Sequence, residues 1–327
     1  MSLSARIIDE LLEATVVGSF SRIGYDARSR LDHWTPPPAL TGQHVVVTGA
    51  SAGLGFETAA QLGASGATVT FLARDGARAE MARSAIVERA GHDDIDFELT
   101  DLSDLSSVRR TAEALHDEGR PIDVLIHNAG ALTRRYEETS EGTERTVATH
   151  VLGPFLLTTL LLPLMRQASL ERRAAPARVI TVSSGGMYTQ RFDLARLEMS
   201  GQDYDGVTAY ARAKRAQLVL IHAWSRRIDP RTIVFHAMHP GWADTPGVAS
   251  SLPGFHRIMG PLLRTPAQGA DTIVWLATAT EPERTSGQFW LDRRCRWEHK
   301  LPWTLSANRR LDQERLWRWC TDRVAVE

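Results

Sequence analysis

The stretch Thr48-Gly49-Ala50-Ser51-Ala52-Gly53-Leu54-Gly55 decides the reading of this chain. It follows Val45-Val46-Val47, a short run of β-branched residues, and opens a segment from Leu54 to Ala64 of helical character. Strand, glycine turn and helix in that order make a dinucleotide-binding unit. Each glycine has its own task. Gly49 permits the tight turn, Gly53 lets the backbone approach a pyrophosphate without a Cβ in the way, and Gly55 lets the helix pack closely on the strand. The helix N-terminus, with Ser51, Ala52 and Leu54 around it, offers free N–H groups and a positive dipole end to phosphates.

Outward from this turn, apolar runs alternate with helical patterns. Thr68–Leu72, Ile95–Leu99, Ile122–Ile126, Val179–Val182, Ile233–Ala237 and Gln288–Leu291 read as further strands buried on both faces. Ala77–Ala90, Leu105–Glu118, Glu144–Arg166 and Val207–Arg226 read as helices between them. The alternation predicts an α/β fold, a Rossmann-like doubly wound parallel sheet of about seven strands with helices on both faces. Residues 1–40 are expected to form an N-terminal helical extension with a Pro-rich connector, 41–292 the Rossmann-fold domain, and 293–327 an Arg- and Trp-rich extension packed on it.

The 327 residues are 43% hydrophobic and 24% charged, with net charge −1, so no global field draws the chain to nucleic acid. Two cysteines, Cys295 and Cys320, make no disulfide framework, and a reducing, cytoplasmic compartment is expected. No signal peptide and no membrane span are expected, since Gly153, Pro154 and Pro163 interrupt the apolar segment Val151–Met165, which reads as a buried helix. Leu3, Ile7, Ile8, Leu11, Leu12 and Val16 follow helical spacing. This helix packs on the domain or a second subunit, or else lies on a membrane surface, a reading its acidic polar face weakens. Scattered histidines give no metal constellation.

Several strand ends carry chemistry. Arg74 ends the second strand, where the adenosine ribose meets such sheets, and its guanidinium suits a 2′-phosphate. NADP(H) is thereby favoured over NAD(H), with Asp75 beside it keeping NAD(H) open; the plainer reading of Arg74 is a surface charge. Asp101 and Leu102 follow the third strand, where Asp101 suits an adenine amino group or simply caps a helix. Asn128-Ala129-Gly130 follows the fourth, either a close cofactor approach or an ordinary turn. Tyr210 and Lys214, spaced i, i+4, share a helix face, where an ammonium would lower the phenol's pKa and allow proton exchange with an alcohol or carbonyl. Ser183-Ser184 closes the fifth strand, placing a hydroxyl for the substrate oxygen. His239-Pro240-Gly241 turns the chain after the sixth, and Trp242–Thr265 reads as a mobile lid or as simple helical packing.

Together, TGASAGLG (48–55), the Asp101 loop, NAG (128–130), Ser184, YARAK (210–214) and HPG (239–241) resemble the short-chain dehydrogenase/reductase family over about three quarters of the chain. VITVSSGGMY (179–188), HPGWADTPGV (239–248) and PGFH (253–256) resemble its member 12 subgroup, and the long gap from Ser184 to Tyr210 resembles its retinol-dehydrogenase-like branch. The resemblance implies that Ser184 rather than Ser183 binds substrate, Tyr210 is the acid/base, Lys214 holds the nicotinamide ribose and relays protons, and Thr245 bonds the cofactor carboxamide. It implies a lipophilic alcohol or carbonyl substrate and self-association into a homo-oligomer. His150 stands where the family carries an Asn that supports the proton relay. The alternative is a cofactor-binding sensor or interaction protein with little catalysis.

Overall fold

The computed structural model describes residues 3–172, 175–305 and 309–325. The N-terminal extension forms α1 (Leu3–Glu13), α2 (Val16–Phe20) and α3 (Arg22–Leu31). Strands and helices then alternate: β1 (His44–Thr48), α4 (Gly53–Ala64), β2 (Thr68–Ala73), α5 (Gly76–Ala90), β3 (Ile95–Leu99), α6 (Leu105–Glu118) and β4 (Val124–His127). A short α7 (Arg145–Val147) runs through a π turn at Ala148–Leu152 into α8 (Gly153–Arg172). After these come β5 (Ala177–Val182), α9 (Gly206–Arg227), β6 (Ile233–Met238), α10 (Pro246–Ser251), α11 (Pro253–Met259), α12 (Pro266–Thr278), β7 (Gln288–Leu291), β8 (Arg294–Cys295) and α13 (Arg310–Val324).

The strand order is β3-β2-β1-β4-β5-β6-β7-β8, parallel except for β8. The order reverses between β1 and β4, where Val47 pairs with Phe71 on one side and Ile126 on the other. That reversal opens the ligand crevice of such sheets at the strands' C-terminal ends. Every residue of β1, β4, β5 and β6 is buried. Two apolar clusters, one centred on Leu125, Leu157 and Phe235 and one on Val47, Phe71 and Ile126, are the main stabilising mass.

The sheet edge and the N-terminal helix differ from the sequence expectation, whereas the apolar segment is the buried helix expected. An eighth strand follows β7 through Asp292 and Arg293, both left-handed (φ 54° and 56°), a two-residue hairpin turn without the usual Asn-Gly. The helix of residues 145–172 is long and apolar enough to cross a membrane, but 72% of its apolar window is buried inside the fold. It runs through Pro163 because Leu157, Leu161 and Met165 are locked in the core on either side. In the N-terminal helix, Thr15 accepts from the Gly18 amide and restarts the chain as α2.

The N-terminal helix differs also in which face packs. α1 turns its acidic side inward: Asp9 is buried, whereas Ile7, Ile8 and Leu11 are exposed. The cause is a charge cluster. Arg28, fully buried, donates to Asp9 at 2.7 Å, Glu13 at 3.1 Å and Asp292 at 2.6 Å. Asp292, also fully buried, accepts in turn from Arg264 at 2.5 Å. Arg296 donates to Asp9 at 2.8 Å, and Lys300 pairs with Glu13. Burial alone would push Asp9, Glu13 and Asp292 up, but their basic partners outweigh it and hold all three below the usual carboxylate range. Three helices are thus pinned to the β7–β8 turn and to the segment before α12.

Removing one member of a buried pair leaves the other charge uncompensated. Asp292→Ala is expected to cost roughly 3–5 kcal/mol in thermal or denaturant unfolding. Because these carboxylates titrate lower when folded than unfolded, their contribution is present above about pH 4 and lost below it. Limited proteolysis will therefore release the N-terminal helices as the pH falls below about 4, while the sheet stays protected.

Candidate active site

The crevice is built from the turn after β1. Gly49 has φ 69°, and a Cβ there would lie 2.8 Å from the Ala129 Cα, so only glycine fits. A Cβ on Gly55 would fall 2.3 Å from the Gly49 oxygen, so α4 lies directly on the turn. Thr48 Oγ1 accepts from the Asn128 and Ala129 amides, and Asn128 Nδ2 donates to the carbonyls of Thr48 and Gly49. Asn128 is therefore a brace that locks the ends of β1 and β4 together.

The residues fit a pyrophosphate. No side chain caps the N-terminus of α4 at Ala52, which leaves its first-turn amides to a ligand. Gly53 has φ 61°, and a Cβ there would lie 3.5 Å from the Thr245 Cβ. Thr245, the N-cap of α10, thus faces the glycine turn across the crevice. Along the rim, Asp75 caps α5 by accepting from the Arg78 amide at 2.9 Å. Arg74 is exposed at the end of β2. Asp101 Oδ1 accepts from the Ser103 amide and hydroxyl, while Asp104 rather than Asp101 caps α6. Leu102 is buried, and a Cβ on Gly153 would strike its carbonyl at 2.1 Å.

At the other end of the crevice, the i, i+4 spacing on α9 brings Tyr210 and Lys214 together. Lys214 Nζ lies 5.4 Å from the Tyr210 ring centre and donates to the Val182 carbonyl at 2.8 Å. Burial lowers its ammonium to about 7. Burial raises the Tyr210 phenol, against a hydrogen bond from Ser184 that lowers it. Ser184 accepts from the Gly186 amide, whereas Ser183 is buried and donates to the Lys214 carbonyl. The two serines thus separate: Ser184 faces Tyr210 and Ser183 braces α9.

His150 sits in the π turn, its ring 5.3 Å from that of Tyr210. Its Nδ1 bonds the Thr146 carbonyl at 2.8 Å and so carries the proton; Nε2 is buried without a partner. Burial first, then Lys214, lower the imidazole to about 3, so it is neutral. A Cβ on Gly130 would lie 2.8 Å from His150 Nε2 and 3.4 Å from Lys214 Nζ. Both nitrogens converge on the space above Gly130, which only glycine leaves open. Gln217 Nε2 donates to the His150 carbonyl at 2.9 Å. Gln217, one turn beyond Lys214 on the same helix, was missed by sequence reasoning, although its i+3 spacing is a usable signal.

Beyond β6, Pro240 and Gly241 carry Arg264 across them. Gly241 has φ 73°, and a Cβ there would meet the Arg264 guanidinium at 2.2 Å. Trp242 is half-buried between Phe20, whose carbonyl its amide bonds at 2.7 Å, and Phe255 of α11. Phe20 also lies edge-on to His239 at 4.4 Å and would contact a Cβ on Gly185 at 3.0 Å. A phenylalanine of the N-terminal extension therefore packs against the turns that carry His239 and Gly185. No sequence signal connects position 20 with 185 and 239.

A Rossmann crevice with Ser184, Tyr210 and Lys214 at its end defines a nicotinamide-type oxidoreductase site. The chain belongs to the short chain dehydrogenase family, whose model matches residues 43–253. It is 39% identical to human dehydrogenase/reductase SDR family member 12, covering 85% of this chain and 84% of that protein. It is 34% identical to mouse retinol dehydrogenase 14, covering 81% and 82% respectively. A solved structure of a Mycobacterium paratuberculosis protein superposes with a TM-score of 0.69 at 28% identity, over 90% of this chain and 98% of that one.

Gly53 separates binding from folding. Gly53→Ala meets no close atom but puts a methyl group into the cradle, at a strain of about 1–2 kcal/mol for the left-handed backbone. Cofactor affinity is expected to fall at least roughly tenfold in a fluorescence titration, with the folded state retained in circular dichroism.

Proposed function

We propose that this protein is an NADP(H)-dependent dehydrogenase/reductase that interconverts an alcohol and a carbonyl on a lipophilic substrate. The reading is carried by one observation: half-buried Ser184 and Tyr210 converge with buried Lys214 and His150 at the end of a nucleotide crevice. The cofactor, when bound, exchanges a hydride with the substrate carbon. Gly49, Ser51, Ala52, Gly53, Leu54 and Gly55 hold its pyrophosphate, Asp101 and Leu102 its adenine, Asn128, Ala129 and Gly130 the floor, and Pro240, Gly241 and Thr245 its nicotinamide end. Ser184 holds the substrate oxygen, and Tyr210 gives or takes its proton. Lys214, when protonated, favours the phenolate and bonds the ribose. His150 Nε2, a bare acceptor beside Lys214, accepts a hydrogen bond from a water shared with Lys214 and so stays neutral, while Nδ1–H on Thr146 fixes the ring.

NADP(H) is preferred because Asp75 spends its carboxylate on the α5 cap, leaving Arg74 as the charge beside the ribose. A lipophilic substrate fits the aromatic wall of Phe20, Trp242 and Phe255. The retinol dehydrogenase relative supports the same class. A cytoplasmic location and a homo-oligomeric state accompany this proposal.

Titration of the nine tryptophans' fluorescence tests the cofactor assignment. NADPH is expected to bind at least about tenfold more tightly than NADH, and Arg74→Ala to erase the difference. Equal affinities in the native protein would overturn the Arg74 assignment.

Tyr210→Phe is expected to lower kcat by roughly 10²–10⁴ at unchanged cofactor affinity, which a redox sensor would not show. His150→Asn should keep kcat within about threefold, and His150→Leu should lower it by about tenfold or more. If Asn abolishes turnover in a folded protein, the relay assignment is wrong.

A further inference from the structure

The N-terminal helices expose what an amphipathic helix normally hides. At helical spacing, Ile7, Ile8 and Leu11 lie on one face of α1 and Asp9 and Glu13 on the opposite one. The acidic face is the one that packs. Ile7 is 50% exposed and Leu11 67%, and α2 and the start of α3 add exposed Val16, Val17 and Ile23. Six large apolar side chains thus reach solvent within seventeen residues, a clustering that marks an interaction surface.

Charge on this surface selects the partner. Every acidic side chain of α1–α3 and the residue after it is engaged: Asp9 and Glu13 in the buried cluster, Glu10 with Arg6, Asp26 with Gln268, and Asp32 with Arg294. Arg22 and Arg30 are exposed and, among the described residues, form no ion pair. The outward face is therefore apolar with a cationic rim. The segment joined to α1 through Lys300 and Glu13 also exposes Trp297 and Trp303, residues suited to a membrane–water boundary.

We propose that the outward face of α1–α3 docks on an anionic lipid bilayer. The apolar side chains enter the headgroup boundary while Arg22 and Arg30 meet lipid phosphates and carboxylates. The inner side of the same hairpin carries Phe20, which packs against His239 and Trp242. The docking does not depend on the lipophilic-substrate reading.

Flotation of the purified full chain with vesicles tests it, using phosphatidylcholine alone and phosphatidylcholine mixed with phosphatidylserine. The protein is expected to float with the mixed vesicles, less with neutral ones, and to be released at roughly 1 M salt, where the Debye length is about 3 Å. Leu11→Glu should abolish flotation. Arg22→Glu should weaken it about fivefold or more. Both side chains are exposed, so NADPH affinity and melting temperature serve as controls and should not move. Failure to float with either vesicle overturns the proposal whatever the enzyme's substrate is. So does a concentration-dependent dimer that Leu11→Glu dissociates, which assigns the face to a second copy.

Discussion

Asp292 is a carboxylate with no exposure to water, held between two arginines from distant parts of the chain. Much of the molecule's shape depends on keeping it charged and paired, since an isolated buried charge is unaffordable. Arg28 brings the N-terminal helices to it, and Arg264 brings the segment that precedes α12. Arg264 reaches Asp292 by lying across Gly241, so that glycine answers to this arginine as much as to any cofactor. The left-handed backbone at Asp292 and Arg293 is the strain accepted for placing the carboxylate there.

That network also sets the position of Phe20. Phe20 sits between Ser19 and Ser21, whose carbonyls accept from Arg264. The ring is delivered against His239 and Trp242 as a consequence. Around it the site is electrostatically sparse. His127, His150 and His239 are all lowered to about 3, in each case by burial first, so they remain neutral imidazoles. Lys214, at about 7, is poised between charged and neutral near physiological pH. In such surroundings a single added charge at the nicotinamide end acts through a low dielectric and weighs heavily on both Lys214 and Tyr210.

The sheet was legible in the sequence because its signals are local. Seven short runs, most of them apolar and each closed by a turn or a small-residue motif, fall within a residue or two of the strands. β4 starts later than its apolar run because the Ile122 amide still bonds the Leu164 carbonyl. β8 was hidden because an Asp-Arg pair is not a hairpin signal and its left-handed backbone is held by partners far away in sequence. The site was legible for the same reason as the sheet: a glycine turn, a strand-end serine and an i, i+4 Tyr-Lys pair state their geometry within a few residues. Which carboxylate serves at the rim was not. Only the structure shows Asp75 turned to the α5 cap and Asp101 held by Ser103.

The N-terminal helix shows why periodicity alone misleads. Periodicity reports that two faces differ, and the usual inference sends the apolar one inward. The inference fails where the domain offers cations instead of apolar surface. Arg28, Arg294, Arg296 and Lys300 present a basic floor drawn from positions 28 and 294–300, and no window around residues 3–17 contains the latter. Asp9 and Glu13 satisfy that floor, and burying Ile7 and Leu11 against it would leave several charges unpaired at a few kcal/mol each. The apolar stripe is outward because the charges settled the orientation first.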